Sequence, residues 1–131
     1  MPSRLHGALE RIDLAEKLAS FDDAWNPRIV AELNGQEVRL VKLRGEFVWH
    51  SHADADELFL VLRGELEMHL RDRVVPLAAG DAFVVPRGVE HKPVAPTEAH
   101  VLLFEPAGTV NTGDASSERA GSLRRQDLDR T

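Results

Sequence analysis

A chain of 131 residues suits one domain with a single core, and no second domain is needed to account for its length. With 43% hydrophobic and 29% charged residues it has the composition of an ordinary globular protein, and no apolar run reaches bilayer-spanning length. A net charge of −6 argues against nucleic acid or an anionic membrane as partner, and the lack of cysteine excludes disulfides, thiolate nucleophiles and cysteine-containing zinc sites.

Residues 5–21 carry Leu5, Leu9 and Ile12, then Leu14, Leu18 and Phe21, at helical spacing. The spacing predicts one or two short amphipathic helices that pack outside the main body, broken near Asp13, which forms a capping pair with Glu16. The opening residues, MPSRLHGALERID, have no apolar signal core, which predicts a cytoplasmic protein. Trp25-Asn26-Pro27 closes this N-terminal segment, residues 1–28, because proline biases the residue before it toward extended backbone.

From Ile29 the pattern is β. The run RIVAEL, a tight Asn34-Gly35 turn and QEVRLVKLRG predict a first hairpin. Further strands are predicted over ELFLVLRG, over ELEMHL with Leu66, Met68 and Leu70 on one face, over RDRVVPL, over AAGDAFVVP and over Ala99 to Pro106. Seven or eight short strands divided by Gly, Pro, Asn and Asp predict a sandwich or small barrel over residues 29–111. The polar, Gly/Ser-rich tail, residues 112–131, reads as flexible, with Leu123 and Leu128 its only large apolar anchors.

The stretch from Gly45 to Gly64, GEFVWHSHADADELFLVLRG, concentrates metal-ligating residue types. On a regular strand Val48, His50 and His52 share one face, and after the loop Ala53 to Asp56 the residues Glu57, Phe59 and Val61 share another. This predicts a hairpin that sets a carboxylate opposite two imidazoles. Glu57 is preferred to Asp54 and Asp56 because it holds strand parity while they lie in the loop. Imidazoles with one carboxylate suit a divalent transition metal, namely Mn, Fe, Co, Ni or Zn.

A second cluster, GDAFVVPRGVEH, ends at His91. At this point the sequence resembles the cupin superfamily. Gly45, His50, His52, Glu57 and Gly64 match its first motif, and Gly80, Pro86, Gly88 and His91 its second. Gly45 stands one residue nearer His50 than is usual, and Ala95 replaces a frequent asparagine. Neither position is a ligand, so these departures bear on loop shape. The resemblance covers roughly residues 40–95. It implies an all-β double-stranded β-helix, or jelly-roll barrel, with one metal held by His50, His52, Glu57 and His91 and one or two coordination positions left open.

The remaining candidates are weighed as structural residues. Trp49 alternates with the ligands and is expected to pack under the N-terminal helix or at a subunit contact, His6 and His69 to be solvated, and His100 to be a core or rim histidine. Arg44, Arg63, Arg87 and Lys92 flank the motif turns, where they could steer an anionic substrate. Glu105 ends the last strand before a turn-rich exit. With neither Cys nor Tyr in the chain, a thiol dioxygenase with a Cys-Tyr crosslink is excluded. A secreted oxalate-degrading cupin and a metal-free epimerase are disfavoured by the lack of a signal peptide and by the full ligand set. The expected function is a small metal-dependent enzyme acting on a polar small molecule. It would be either a sugar or sugar-phosphate isomerase of the mannose-6-phosphate-isomerase-like kind or an iron-dependent dioxygenase. The alternatives are a non-catalytic ligand-binding or sensing module and a structural metal site. A homodimer is expected, because the edge strands of an open sandwich need covering.

Overall fold

The computed structural model describes residues 5–110, 112–114 and the backbone of 129–130. The tail anchors Leu123 and Leu128 lie outside these residues. One helix forms in the N-terminal segment, α1 (Leu14–Ala19), where Asp13 is the N-cap and its carboxylate accepts the Glu16 amide at 3.1 Å. The residues before it do not continue the helical pattern. Gly7 and Leu9 both take left-handed backbone, which turns the chain instead, and Leu9 is 94% exposed.

The body is all-β. Strand β1 (Arg28–Leu33) and strand β2 (Gln36–Glu46) form the first hairpin. Its Asn34-Gly35 turn has both residues at positive φ, which matches the right-handed twist of the flanking strands. Then follow β3 (Glu57–Arg63), β4 (Glu65–Leu70), β5 (Val74–Ala78), β6 (Ala82–Val85), β7 (His91–Pro106) and a short β8 (Asp129–Arg130) that pairs with β1 in parallel.

Strand β7 joins the two walls. Its first half pairs with β4, from Leu70↔His91 to Glu67↔Val94, while its second half lies between β2 and β3. Strand β6 extends the wall on the free side of β3, and β5 flanks β4. Register shifts between Leu43 and Gly45 and between Val61 and Arg63 bend β2 and β3 so that the sheet rolls over its own core. This is the jelly roll that the two motifs imply.

The sequence pattern foresees only the second half of β7, because Pro93 and Pro96 argue against a strand before Ala99. The strand tolerates Pro93, whose carbonyl accepts the Phe47 amide at 3.0 Å.

Alternation sets the core. Glu57, Phe59 and Val61 of β3 are buried, while Leu58, Leu60 and Leu62 are half-buried. Leu66 and Met68 of β4 and Val41 and Leu43 of β2 join the same interior cluster. A smaller cluster of Phe21, Val30 and Leu40 seats α1 against the outer face of the sheet through Leu14 and Leu18. No helix among the described residues is long and apolar enough to cross a membrane.

Candidate metal centre

His50, His52, Glu57 and His91 come together inside the barrel, each buried, with one ligand atom apiece all within 4.8 Å of one another. Glu57 is the first residue of β3 and His91 the first of β7, so two strand starts fix two of the donors. The hairpin expected between the His50–His52 stretch and β3 is not formed. Instead β3 pairs with β6 and β7, and residues 47–52 run as an irregular segment whose one β-bridge among the described residues joins His50 to His91. There the His50 amide donates to the His91 carbonyl at 3.1 Å and the His91 amide returns the bond at 2.9 Å. The Gly88 amide donates to the His52 carbonyl at 2.9 Å, so the Pro86–Gly88 turn holds the third histidine.

Two of the three rings are aimed by backbone carbonyls. His50 Nδ1 lies 2.9 Å from the Val48 carbonyl and His91 Nδ1 3.0 Å from the Val89 carbonyl. Those contacts place the proton on Nδ1 and leave Nε2 as a lone pair facing inward. Burial, with the neighbouring His91, pushes the His50 imidazole down to about 4, which keeps it neutral and ready to ligate at neutral pH.

Glu57 Oε1 stands 3.5 Å from both His52 Nε2 and His91 Nε2, and all three atoms are buried without a hydrogen-bond partner. Orphaned buried polar atoms are costly. Three of them converging from two imidazoles and a carboxylate fit a divalent transition metal. Burial pushes the Glu57 carboxyl up, but interactions with His52, His91 and Glu105 outweigh it and hold the group well below the usual range.

Beneath the cluster lies a charged network that the sequence does not disclose. Arg39, fully buried in β2, pairs through Nη2 with Glu37 Oε1 at 2.6 Å and through Nη1 with Glu105 Oε1 at 2.6 Å. Its Nη1 also donates to the Thr109 carbonyl at 3.0 Å. Burial and the nearby Glu57 charge push the Glu105 carboxyl well above its ordinary range. A same-face Glu37-x-Arg39 pair was the available signal. Glu105 stands at the end of the last strand as expected, one residue before β7 closes at Pro106, but its side chain is fully buried.

Several flanking residues take other places. Asp54 and Asp56 stay exposed, and Asp56 Oδ1 accepts the Arg87 amide at 2.8 Å, which ties the ligand loop to the second-motif turn. Arg44 pairs with Glu98 at 2.7 Å and Lys92 with Glu46 at 2.5 Å, while Arg63 is exposed on the outer face near α1. Trp49 points away from the ligands as its parity requires, but it packs under the Arg71 guanidinium, 3.9 Å from the ring centre, and not under the helix. The position near the N-terminal segment belongs to Trp25, which stacks on Phe47 with centroids 4.6 Å apart. His69 and His100 are half-buried beside Glu67 and Glu98 respectively, and His6 is half-buried in the N-terminal segment.

Two further features frame the centre. Asp114 accepts the Ser51 amide at 2.6 Å and the Ser51 hydroxyl at 2.9 Å, bracing the residue between His50 and His52. On the opposite side a narrow pocket reaches His50 and Glu57 between Trp25, Phe47, Phe59 and Leu103. A metal on these four ligands would therefore face a path for a small molecule.

Known proteins share this fold. The chain matches the cupin domain family over residues 32–105, more than half its length. It is 38% identical over 81 residues to YdbB of Bacillus subtilis (strain 168), an uncharacterized protein, covering 61% of this chain and 66% of that one. Among solved structures it is similar to a cupin-2 domain containing protein from Shewanella frigidimarina NCIMB 400, with a TM-score of 0.72 and 46% identity over 72% of this chain and 93% of that one. It also resembles KdgF from Halomonas sp., with a TM-score of 0.54 and 33% identity over 61% and 76% of the two chains. With its jelly roll and buried His/Glu cluster, the chain belongs to the cupin family.

Proposed function

We propose that this cupin binds one divalent transition metal through His50, His52, Glu57 and His91 and uses it as a small metal-dependent enzyme on an oxygen-bearing small molecule. The observation that carries this reading is the convergence of four buried donors, all within 4.8 Å of one another, at the inner end of a pocket that reaches two of them. Four protein donors leave one or two positions on a five- or six-coordinate ion, and the pocket gives a ligand access to them. A structural site would need no such path.

Two chemistries are compatible with the donor set. Isomerisation of a sugar or sugar phosphate, as in a mannose-6-phosphate-isomerase-like enzyme, requires a base to move a proton between substrate carbons. The only ionisable side chains lining the pocket among the described residues are His50 and Glu57, and both are needed as ligands. Oxygen-dependent cleavage makes no such demand. Both atoms of dioxygen would enter the substrate with no external reductant consumed, and a metal held by His50, His52, Glu57 and His91 would supply the electronic route between substrate and oxygen. The lining therefore favours a dioxygenase, with iron as the metal.

The same lack of a spare base supports the second reading, a module that binds or senses its ligand without turnover. Oxygen uptake and product analysis on iron-loaded protein with a panel of carbonyl and enediol compounds separates the two. Consumption that disappears in Glu57→Ala supports the enzyme. Saturable binding without oxygen uptake supports the module.

We also propose a homodimer, since β5 and β6 are edge strands that expose Val74 and Val84 at 48% and 54%. A sedimentation mass of one chain would exclude it. A cytoplasmic site of action is part of the same proposal and is tested by cell fractionation.

A further inference from the structure

The pocket beside the metal ligands has an unusual lining for an enzyme of sugar phosphates. Its walls are Trp25, Val41, Leu43, Phe47, Phe59 and Leu103, closed by two prolines that have no amide to offer. No lysine or arginine lines it among the described residues. The basic side chains nearest in sequence are committed elsewhere, Arg28 to Asp23, Lys42 to the Phe21 carbonyl, Arg44 to Glu98 and Lys92 to Glu46. A phosphate dianion is recognised by guanidinium forks or clusters of backbone N–H groups, and moving one into apolar surroundings without them is strongly unfavourable.

Trp25 forms the outer wall in a constrained way. Its backbone has φ +63°, a left-handed conformation that a bulky side chain adopts only when its surroundings impose it. The Trp25 amide donates to the Lys42 carbonyl and its indole Nε1–H to the Arg44 carbonyl, both at 2.9 Å. The ring stacks on Phe47 at 15°, and Phe47 meets the His50 ring edge-on at 5.2 Å. Both polar ends of Trp25 are thus fixed to β2, and its ring reaches a metal ligand through a single aromatic neighbour. The cavity left between these rings is narrow, about 30 Å³.

We infer that the ligand of this centre presents an oxygen head to the metal and a small, uncharged apolar body to the pocket, and that Trp25 sets the upper size of that body. The inference rests on the metal-centre reading above and narrows its substrate class to short-chain apolar molecules with a chelating head, excluding phosphorylated sugars.

The test uses the full-length protein loaded with Co²⁺, whose visible absorption reports ligands entering the metal's coordination shell. Two probes share one head and differ in body, acetohydroxamate with a methyl and benzohydroxamate with a phenyl, and mannose 6-phosphate is the third. Wild type should bind acetohydroxamate at least about tenfold more tightly than benzohydroxamate, the discrimination expected of a tight apolar pocket. Trp25→Ala should remove or invert that preference at unchanged cobalt stoichiometry, and mannose 6-phosphate should leave the spectrum unaltered. Should Trp25→Ala fail to fold by circular dichroism, Trp25→Phe keeps a ring against Phe47 and should give an intermediate ratio. The inference is overturned if wild type accepts both hydroxamates equally, if neither folded variant changes the ratio, or if mannose 6-phosphate perturbs the cobalt. Failure to retain cobalt, or no response to either hydroxamate, overturns the metal-centre reading itself and the inference with it.

Discussion

Arg39 pairs with two buried carboxyl groups, Glu37 and Glu105, and replacing it with methionine tests the charge network under the metal centre. In metal-free Arg39→Met protein the Glu37 carboxylate, whose side chain is 7% exposed, is left without its Arg39 partner. An unpaired buried carboxylate can take a proton, which caps its cost. From a reference value of about 4.3, protonation at pH 7 costs about 2.7 units at 1.36 kcal/mol each, or about 4 kcal/mol.

Loss of the bond to the Thr109 carbonyl adds about 1 kcal/mol, so the expected loss is about 3–5 kcal/mol, in line with buried pairs broken on one side. Urea denaturation at pH 7 reads this as a midpoint lower by about 2 M. The deficit also has a pH signature. A buried carboxylate without its cation penalises the folded variant only while it is ionised, so the deficit should be largest at pH 7 and shrink toward pH 4. Adding Glu37→Leu should restore at least half of the loss. A deficit below about 1 kcal/mol, or one that does not vary with pH, would refute the reasoning.

Other perturbations give separate outcomes. Asp114→Ala removes the acceptor that braces Ser51 between two ligands, and metal affinity should fall about 10- to 100-fold in a competition titration while the urea midpoint moves little. Gly64→Ala should destabilise by more than about 1 kcal/mol, because φ is +81° and an added Cβ would sit 2.5 Å from the Glu98 carbonyl. His50, held near 4 in the folded state, should cost the metal-free protein up to about 3 kcal/mol as pH falls from 6.5 to 4. In that window the unfolded chain binds the proton and the folded one does not, so chemical denaturation at pH 7, 5.5 and 4.5 should show declining stability.

Much of the fold was legible because its signals are local. The Asn34-Gly35 turn, the alternation of Glu57, Phe59 and Val61 and the capping pair of Asp13 with Glu16 each depend on a few neighbouring residues, and each has its expected form. The four ligand types were legible from spacing, and the structure draws their donors together. What could not be read depends on contacts distant in sequence. The His50–His52 segment joins His91 and not β3. Arg39 looks like a surface cation until Glu105, 66 residues away, is brought to 2.6 Å. Trp25 reads as the end of a helical segment, and only its left-handed backbone and its bond to Arg44 turn it into a pocket wall.

The central claim is that His50, His52, Glu57 and His91 hold one transition metal. Elemental mass spectrometry of the purified protein, beside a folded His50→Ala/His52→Ala variant, tests it most directly. The account predicts about one equivalent of transition metal per chain in the wild type and almost none in the variant. Equal, negligible metal in both after reconstitution with Fe²⁺, Mn²⁺, Co²⁺, Ni²⁺ and Zn²⁺ would contradict it.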